Sequence, residues 1–179
     1  YPTDLTNRSI EKTGNDIYGG VSGVDTAMAR TGTSMLKTWG QNNGSDNTTP
    51  SYYEGDTSPG MSYTFGGYGN TMSPDSLKDG SQAWLQIKFF DASYGELAGG
   101  TSDTLSGTSE PNKWHFLRTA ATAPAGAAKV QAVIVHSQKG YSGGAVYWDD
   151  MNLSMVVGPK SNYGTGVRNV ATGDLDGDG

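Results

Sequence analysis

At 179 residues with 27 Gly, 7 Pro and no Cys, the chain has the length of one domain with a short appendage. The lack of cysteine excludes a disulfide framework, a thiolate nucleophile and cysteine-ligated metal. Eighteen acidic against 12 basic side chains leave a net charge of -6, which disfavours the phosphate backbone of nucleic acid as a partner. No apolar run approaches the ~20 residues that span a bilayer, and the chain opens at Tyr1 without a basic-then-apolar leader. A soluble, processed piece of a longer protein is therefore the expectation. An apolar fraction of 34% is low for a packed domain, but 10% aromatic residues argue against disorder.

In chain order, residues 5–11 are a weak first strand candidate. Residues 35–39 form a clear one, with Lys37 and Trp39 on the face opposite Leu36, ended by Gly40 and a polar run through Asn47. Residues 51–54 are weak. Residues 61–68 follow the turn signal Ser58-Pro59-Gly60 and alternate Tyr63 and Phe65 with Ser62 and Thr64. Ser73, as a cap, followed by Pro74 predicts one short helical turn over 73–77. Residues 84–91 show the cleanest alternation, with Leu85, Ile87 and Phe89 on one face and Trp84, Gln86 and Lys88 on the other. Residues 96–105 are weak, whereas 114–121, 129–136 and 145–155 complete the clear set. Helical periodicity nowhere exceeds two turns, so the pattern predicts an all-β antiparallel sandwich.

Six segments carry a resemblance to a known family. They are Ser9-Ile10-Glu11; Arg30-Thr31-Gly32-Thr33-Ser34-Met35-Leu36-Lys37; Pro59-Gly60-Met61-Ser62-Tyr63-Thr64; Phe89-Phe90-Asp91-Ala92; Trp114 with Thr122-Ala123-Pro124-Ala125-Gly126-Ala127; and Val146-Tyr147-Trp148-Asp149-Asp150-Met151-Asn152-Leu153. In this order they resemble the β-sandwich carbohydrate-binding modules of the family 4/9 type, which are appended to polysaccharide-degrading enzymes. The resemblance implies a jelly-roll module over residues 1–157 that binds a polysaccharide or oligosaccharide, has no catalytic activity, and works as a monomer within a secreted multidomain enzyme. It leaves the glycan open. The segments 41–47 and 69–80 are insertions relative to the family and would reshape any groove.

A sugar presents C–H faces with hydroxyl rims, so it calls for aromatic planes flanked by hydrogen-bonding groups. Trp84, Gln86 and Lys88 offer that pattern on one strand, Trp39 and Lys37 on another, and Tyr52 near a loop adds a ring and a hydroxyl; Tyr53 and Tyr141 are weaker candidates of the same kind. Trp114 matches a core position of the family it resembles. Alternation through residues 145–155 places Tyr147, Asp149, Met151 and Leu153 on one inward face and leaves Trp148 as a solvent-side aromatic or a secondary binding platform. An inward carboxylate must be paired, capped or metal-bound. The resemblance implies a structural calcium held by Glu11, Asp149 and oxygens around Thr31 and Ser34; the alternative is Asp149 capping backbone amides.

Beyond the module, residues 158–173 read as a linker. Asp174, Asp176, Asp178 and Gly179 form the first half of a calcium loop, as at the start of a dockerin or a calcium-loop repeat. Enzyme readings lack support, because neither His115 nor His136 lies near a Gly-x-Ser-x-Gly elbow and the four Glu have no glycosidase context. The alternative from another class is a structural or adhesive spacer without glycan binding.

Overall fold

The computed structural model describes residues 8–12, 29–32, 34–156 and 173–174, and the described residues contain strands and turns without a helix. The strands are β1 (Arg8–Lys12), β2 (Ser34–Trp39), β3 (Asn47–Asp56), β4 (Ser62–Asn70), β5 (Gln82–Phe90), β6 (Glu96–Ser106), β7 (His115–Thr122), β8 (Lys129–Gln138), β9 (Ala145–Val156) and β10 (Gly173–Asp174). All pairings are antiparallel. One sheet runs β1-β2-β9-β4-β7, with β10 pairing β9 through Gly173–Leu153 and Asp174–Asn152; the other runs β3-β8-β5-β6. This is the β-sandwich the alternation predicts. Apart from β10, the expected linker and acidic tail lie outside the described residues.

Between the sheets lies one apolar core. It takes Leu85, Ile87 and Phe89 from β5, Val130, Ala132 and Ile134 from β8, and Leu36, Phe65, Leu117, Val146, Trp148 and Met151 from the facing sheet. Each buried Val, Leu, Ile, Phe or Met side chain among them stabilises the fold by roughly 1.5–3 kcal/mol. The period-2 alternation of β5 places its odd residues in this core, as predicted.

Strand β9 departs from simple alternation. Its pairing with β4 shifts register between Gly66 and Tyr68, and Asp150 adopts a left-handed φ of 52°. A bulge adds one residue to one strand and flips the phase beyond it. Val146 and Trp148 therefore point inward before the bulge, and Met151 and Leu153 point inward after it. The expectation for Trp148 is corrected by this shift: it is 0% exposed, and its indole N–H donates to Thr38 Oγ1 at 2.9 Å. Tyr147 and Asp149 face outward instead, beneath loops. Gly67 allows the bulge, since a Cβ there would lie 2.3 Å from Met151 Sδ.

The 73–77 segment is a turn rather than a helical turn. Its backbone groups are taken by neighbouring loops: Ser73 N–H donates to Asn112 Oδ1 at 3.0 Å, Leu77 N–H to Thr71 Oγ1 at 2.6 Å, and Ala145 N–H to Asp75 O at 2.8 Å. The insertion thereby lies across the outward side of the β1-β2-β9-β4-β7 sheet. Met72 packs there with Met35, Ala145 and Tyr147, with Trp39, Trp114 and Ala29 around them.

Candidate functional site

Each sheet has one face turned away from the core, and the two faces differ. On the β1-β2-β9-β4-β7 sheet, the part beside the 71–77 segment is open. Phe116 is 59% exposed there, although it is a large apolar ring in an edge strand. Register sets it opposite Tyr68, and the two rings lie 5.1 Å apart at 54°. The ring lies over Gly66, where a Cβ would stand in ordinary contact, 3.5 Å, with both Phe116 Cζ and Arg118 Cγ. Arg118 Nη2 reaches Thr64 Oγ1 at 3.5 Å, and Asn152 is exposed in the same row across Gly66.

On the other side of Tyr68, the Arg30 guanidinium sits 3.6 Å from the ring centroid. It forms an ion pair with Asp150 Oδ2, while the Thr31 hydroxyl donates to Asp150 Oδ1. The guanidinium is thus held by a carboxylate and a π-face together. An aromatic pair, two guanidinium groups, an amide and hydroxyls share one shallow surface.

The sequence-predicted residues divide between the two sheets. Lys37 and Trp39 belong to the sheet just described, under the 71–77 segment. Lys37 is only 3% exposed and pairs with Asp75 Oδ2 at 3.2 Å, which corrects its expected role as a surface hydrogen-bonding group. Burial alone would lower its pKa, but the Tyr147 hydroxyl and the Asp75 carboxylate outweigh burial and raise it above the usual lysine value. Trp39 packs against the Met35, Met72 and Tyr147 cluster, half-buried. Trp114, expected in the core, belongs to this same satellite cluster.

Trp84, Gln86, Lys88 and Tyr52 share the outward face of the β3-β8-β5-β6 sheet. Tyr52, Val133 and Gln86 form one row, and Pro50, Val135 and Trp84 form the next. Lys88 Nζ is ion-paired to Glu96 at 3.0 Å. Further along, Glu54 accepts from the Tyr94 hydroxyl at 2.9 Å and from Gln131 Nε2 at 2.7 Å.

The expected calcium residues come together only in part. Asp149 is 0% exposed, and its carboxylate takes backbone donors on both oxygens: Arg30 and Thr31 N–H on Oδ2, the latter at 3.1 Å, and Asp150 N–H on Oδ1 at 2.7 Å. This is the amide-capping alternative. The backbones of Glu11 and Ser34 are placed in β1 and β2, with Glu11 in register with Met35; their side chains lie outside the described residues. Among the described residues, no three His, Cys, Asp or Glu side chains converge. Among the described residues, the Asp149 oxygens accept backbone amide hydrogens and the Arg30 cation faces Asp150.

Tyr68, Phe116, Arg30, Arg118 and Asp150 escape the sequence reading. The phase argument used for Trp84 also reaches Phe116, since Leu117 is core and its neighbour must point out. Tyr68 is reached the same way, because β4 keeps its alternation and sets Tyr68 outward with Ser62 and Thr64, opposite in phase to Tyr63 and Phe65.

No protein-family model matches the sequence, and no curated protein does. Among solved structures, the chain is similar to the CBM22-1–GH10 modules of Clostridium thermocellum endo-1,4-β-D-xylanase 10B complexed with xylohexaose, at 13% identity and TM-score 0.53, covering 89% of this chain and 26% of that one. It is also similar to a carbohydrate-binding module of the β-sandwich superfamily, at 14% identity and TM-score 0.49 over 83% of this chain and 54% of that one. A further match is the CBM22-1 xylan-binding domain of Paenibacillus barcinonensis Xyn10C, at 11% identity and TM-score 0.46, covering 84% and 82%. The chain thus spans about a quarter of the xylanase chain and about half of the superfamily module. At these identities the likeness concerns fold: this chain has a β-sandwich of the kind present in structures that contain carbohydrate-binding modules.

Proposed function

We propose that this chain is a non-catalytic glycan-binding module and that the open face around Tyr68 and Phe116 is its contact surface. The observation that carries the reading is the Phe116 ring, 59% exposed, leaning over Gly66 beside Tyr68 and flanked by Arg118, Asn152 and the Arg30–Asp150 pair. An exposed ring with hydrogen-bonding groups at its edge suits the C–H face and hydroxyl rim of a pyranose. The six sequence motifs support the finer family 4/9 assignment, and with it a secreted module that targets an attached polysaccharide-degrading enzyme to its substrate.

The test is titration calorimetry and affinity electrophoresis with xylohexaose, cellohexaose, mannohexaose and the matching soluble polysaccharides. Phe116→Ala is expected to weaken binding tenfold or more, because one aromatic contact contributes ~1–3 kcal/mol, while the melting temperature of this exposed-site variant stays near wild type. Unchanged affinity in Phe116→Ala would move the site elsewhere. Silence of the wild type across the whole panel would favour the spacer reading.

A further inference from the structure

The cationic side chains of the described residues fall into two groups. Arg30, Lys37, Lys88, Lys113 and Lys129 pair with Asp150, Asp75, Glu96, Glu110 and Asp56 respectively. Lys78, Arg118 and Lys139 have no carboxylate partner among the described residues. Of these, Arg118 alone belongs to a strand, and it shares with Phe116 the outward side of β7.

The surroundings of Arg118 leave its guanidinium open. The residue is exposed and in register with Gly66 on β4, which is in turn opposite Asn152 on β9. Its same-face neighbours along β7 are Phe116 and Ala120, and Gly66 and Ala120 are too small to cover a guanidinium. Its polar contact among the described residues is the long approach of Nη2 to Thr64 Oγ1 at 3.5 Å. A guanidinium carries five N–H donors in a planar fork, so most of them face solvent here. Arg30, the other guanidinium of the face, is already neutralised by Asp150.

Phe116 and Arg118 stand two residues apart on one strand face, about 6.6 Å along the strand. A sugar stacked on the ring therefore brings a substituent at its edge to the guanidinium. A carboxylate or sulfate presents two oxygens to the fork, and such charge-assisted pairs are the stronger hydrogen bonds. The acidic groups of the face do not oppose this contact. Asp149 is capped by backbone amides, Asp150 faces Arg30, and the Asp174 backbone, in register with Asn152 on β10, lies three strand spacings, about 14 Å, from Arg118. The net charge of -6 repels a polyanion as a whole, whereas screening beyond ~8 Å leaves a single acidic group governed by Arg118.

We propose, resting on the glycan contact at Phe116, that Arg118 makes the open face selective for a largely neutral sugar chain bearing an isolated acidic substituent, a uronate carboxylate or a sulfate ester.

Two calorimetric comparisons read this preference. One sets xylohexaose against xylohexaose carrying a single glucuronate side group; the other sets a κ-carrageenan hexasaccharide against its desulfated form. The wild type should bind the acidic member of at least one pair about tenfold more tightly, the first pair identifying a uronate and the second a sulfate ester. In Arg118→Gln the ratio of the two affinities should fall to near one, with the melting temperature near wild type, because Gln keeps hydrogen-bonding capacity and loses the charge. Lys139→Gln removes the same charge from the turn after β8 and should preserve the tenfold ratio. Equal affinities within both pairs, with Phe116→Ala weakening all four ligands, overturn the acidic selectivity and leave the glycan contact at Phe116 intact. A preference that Arg118→Gln retains, or that Lys139→Gln also abolishes, overturns the role of Arg118. Acidic binding that survives Phe116→Ala overturns the stacking contact and the shared site with it. Silence of the wild type toward all four ligands overturns glycan binding and this selectivity together.

Discussion

Asp149→Ala is expected to destabilise this protein by about 3 kcal/mol or more, the largest effect of a single exchange outside the apolar core. The Asp149 carboxylate accepts the backbone N–H groups of Arg30, Thr31 and Asp150. Hydrogen bonds to a charged acceptor contribute ~1.5–3 kcal/mol each, and removing the acceptor leaves three part-buried donors without it. At ~2–4 °C per kcal/mol for a chain of this size, the melting temperature should fall on the order of 10 °C. The same bonds hold Arg30 and Thr31 near Asp150, so glycan affinity should fall in parallel. A calorimetric scan with and without chelator separates this role from metal ligation. Capping requires the wild-type melting temperature to ignore chelator and Asp149→Ala to melt lower in either buffer. A chelator-sensitive wild type, with Asp149→Ala melting at the chelated wild-type temperature, would establish calcium at this position and overturn the capping assignment.

Acid should destabilise the fold through His136. This residue faces the interior of the sandwich from β8, in register with Thr49 and Ala83, and among the described residues neither ring nitrogen has a hydrogen-bond partner. Burial lowers its pKa to about 4, from 6.5 in the unfolded chain. The folded pKa is depressed, so the unfolded chain takes up the proton first as pH falls. Stability is unaffected above pH 6.5 and is lost between 6.5 and 4, by about 3 kcal/mol at 1.36 kcal/mol per pH unit. Asp56 and Glu110, hydrogen-bonded to Lys129 and Lys113, have lowered pKa values and add to acid loss at lower pH. Denaturant titrations of wild type and His136→Leu at pH 7.5 and 4.0 isolate the histidine. The variant should match or exceed wild-type stability at pH 7.5, since it removes two unsatisfied nitrogens, and should lose about 3 kcal/mol less on acidification. Parallel losses in both proteins would mean that His136 gains a proton as readily folded as unfolded.

Local alternation carries much information here. Leu85, Ile87 and Phe89 against Trp84, Gln86 and Lys88 define a half-buried strand without reference to the rest of the chain, because side-chain direction in a strand has a period of two. The same logic marks β2, β4, β7, β8 and β9, and their number with so little helical periodicity implies a sandwich. Whether an outward residue reaches solvent is a different question. Lys37 and Trp39 point away from the core as their phase predicts, yet they lie under a segment more than thirty residues further along, where Met72 and Asp75 meet them.

The amino-acid sequence by itself determined the all-β class, most strand positions and the inward set of each regular strand, since these depend on neighbours one and two residues apart. The tertiary structure alone decided which outward face is open, which is roofed by the 71–77 segment, and where the phase of β9 turns over. Asp149 shows the reason most clearly: the bulge beside Gly66 and Gly67 moves it from the inward face that alternation assigns to an outward position under Arg30 and Thr31. A bulge forms where the partner strand offers room for it, and that room is a property of two chain segments about eighty residues apart.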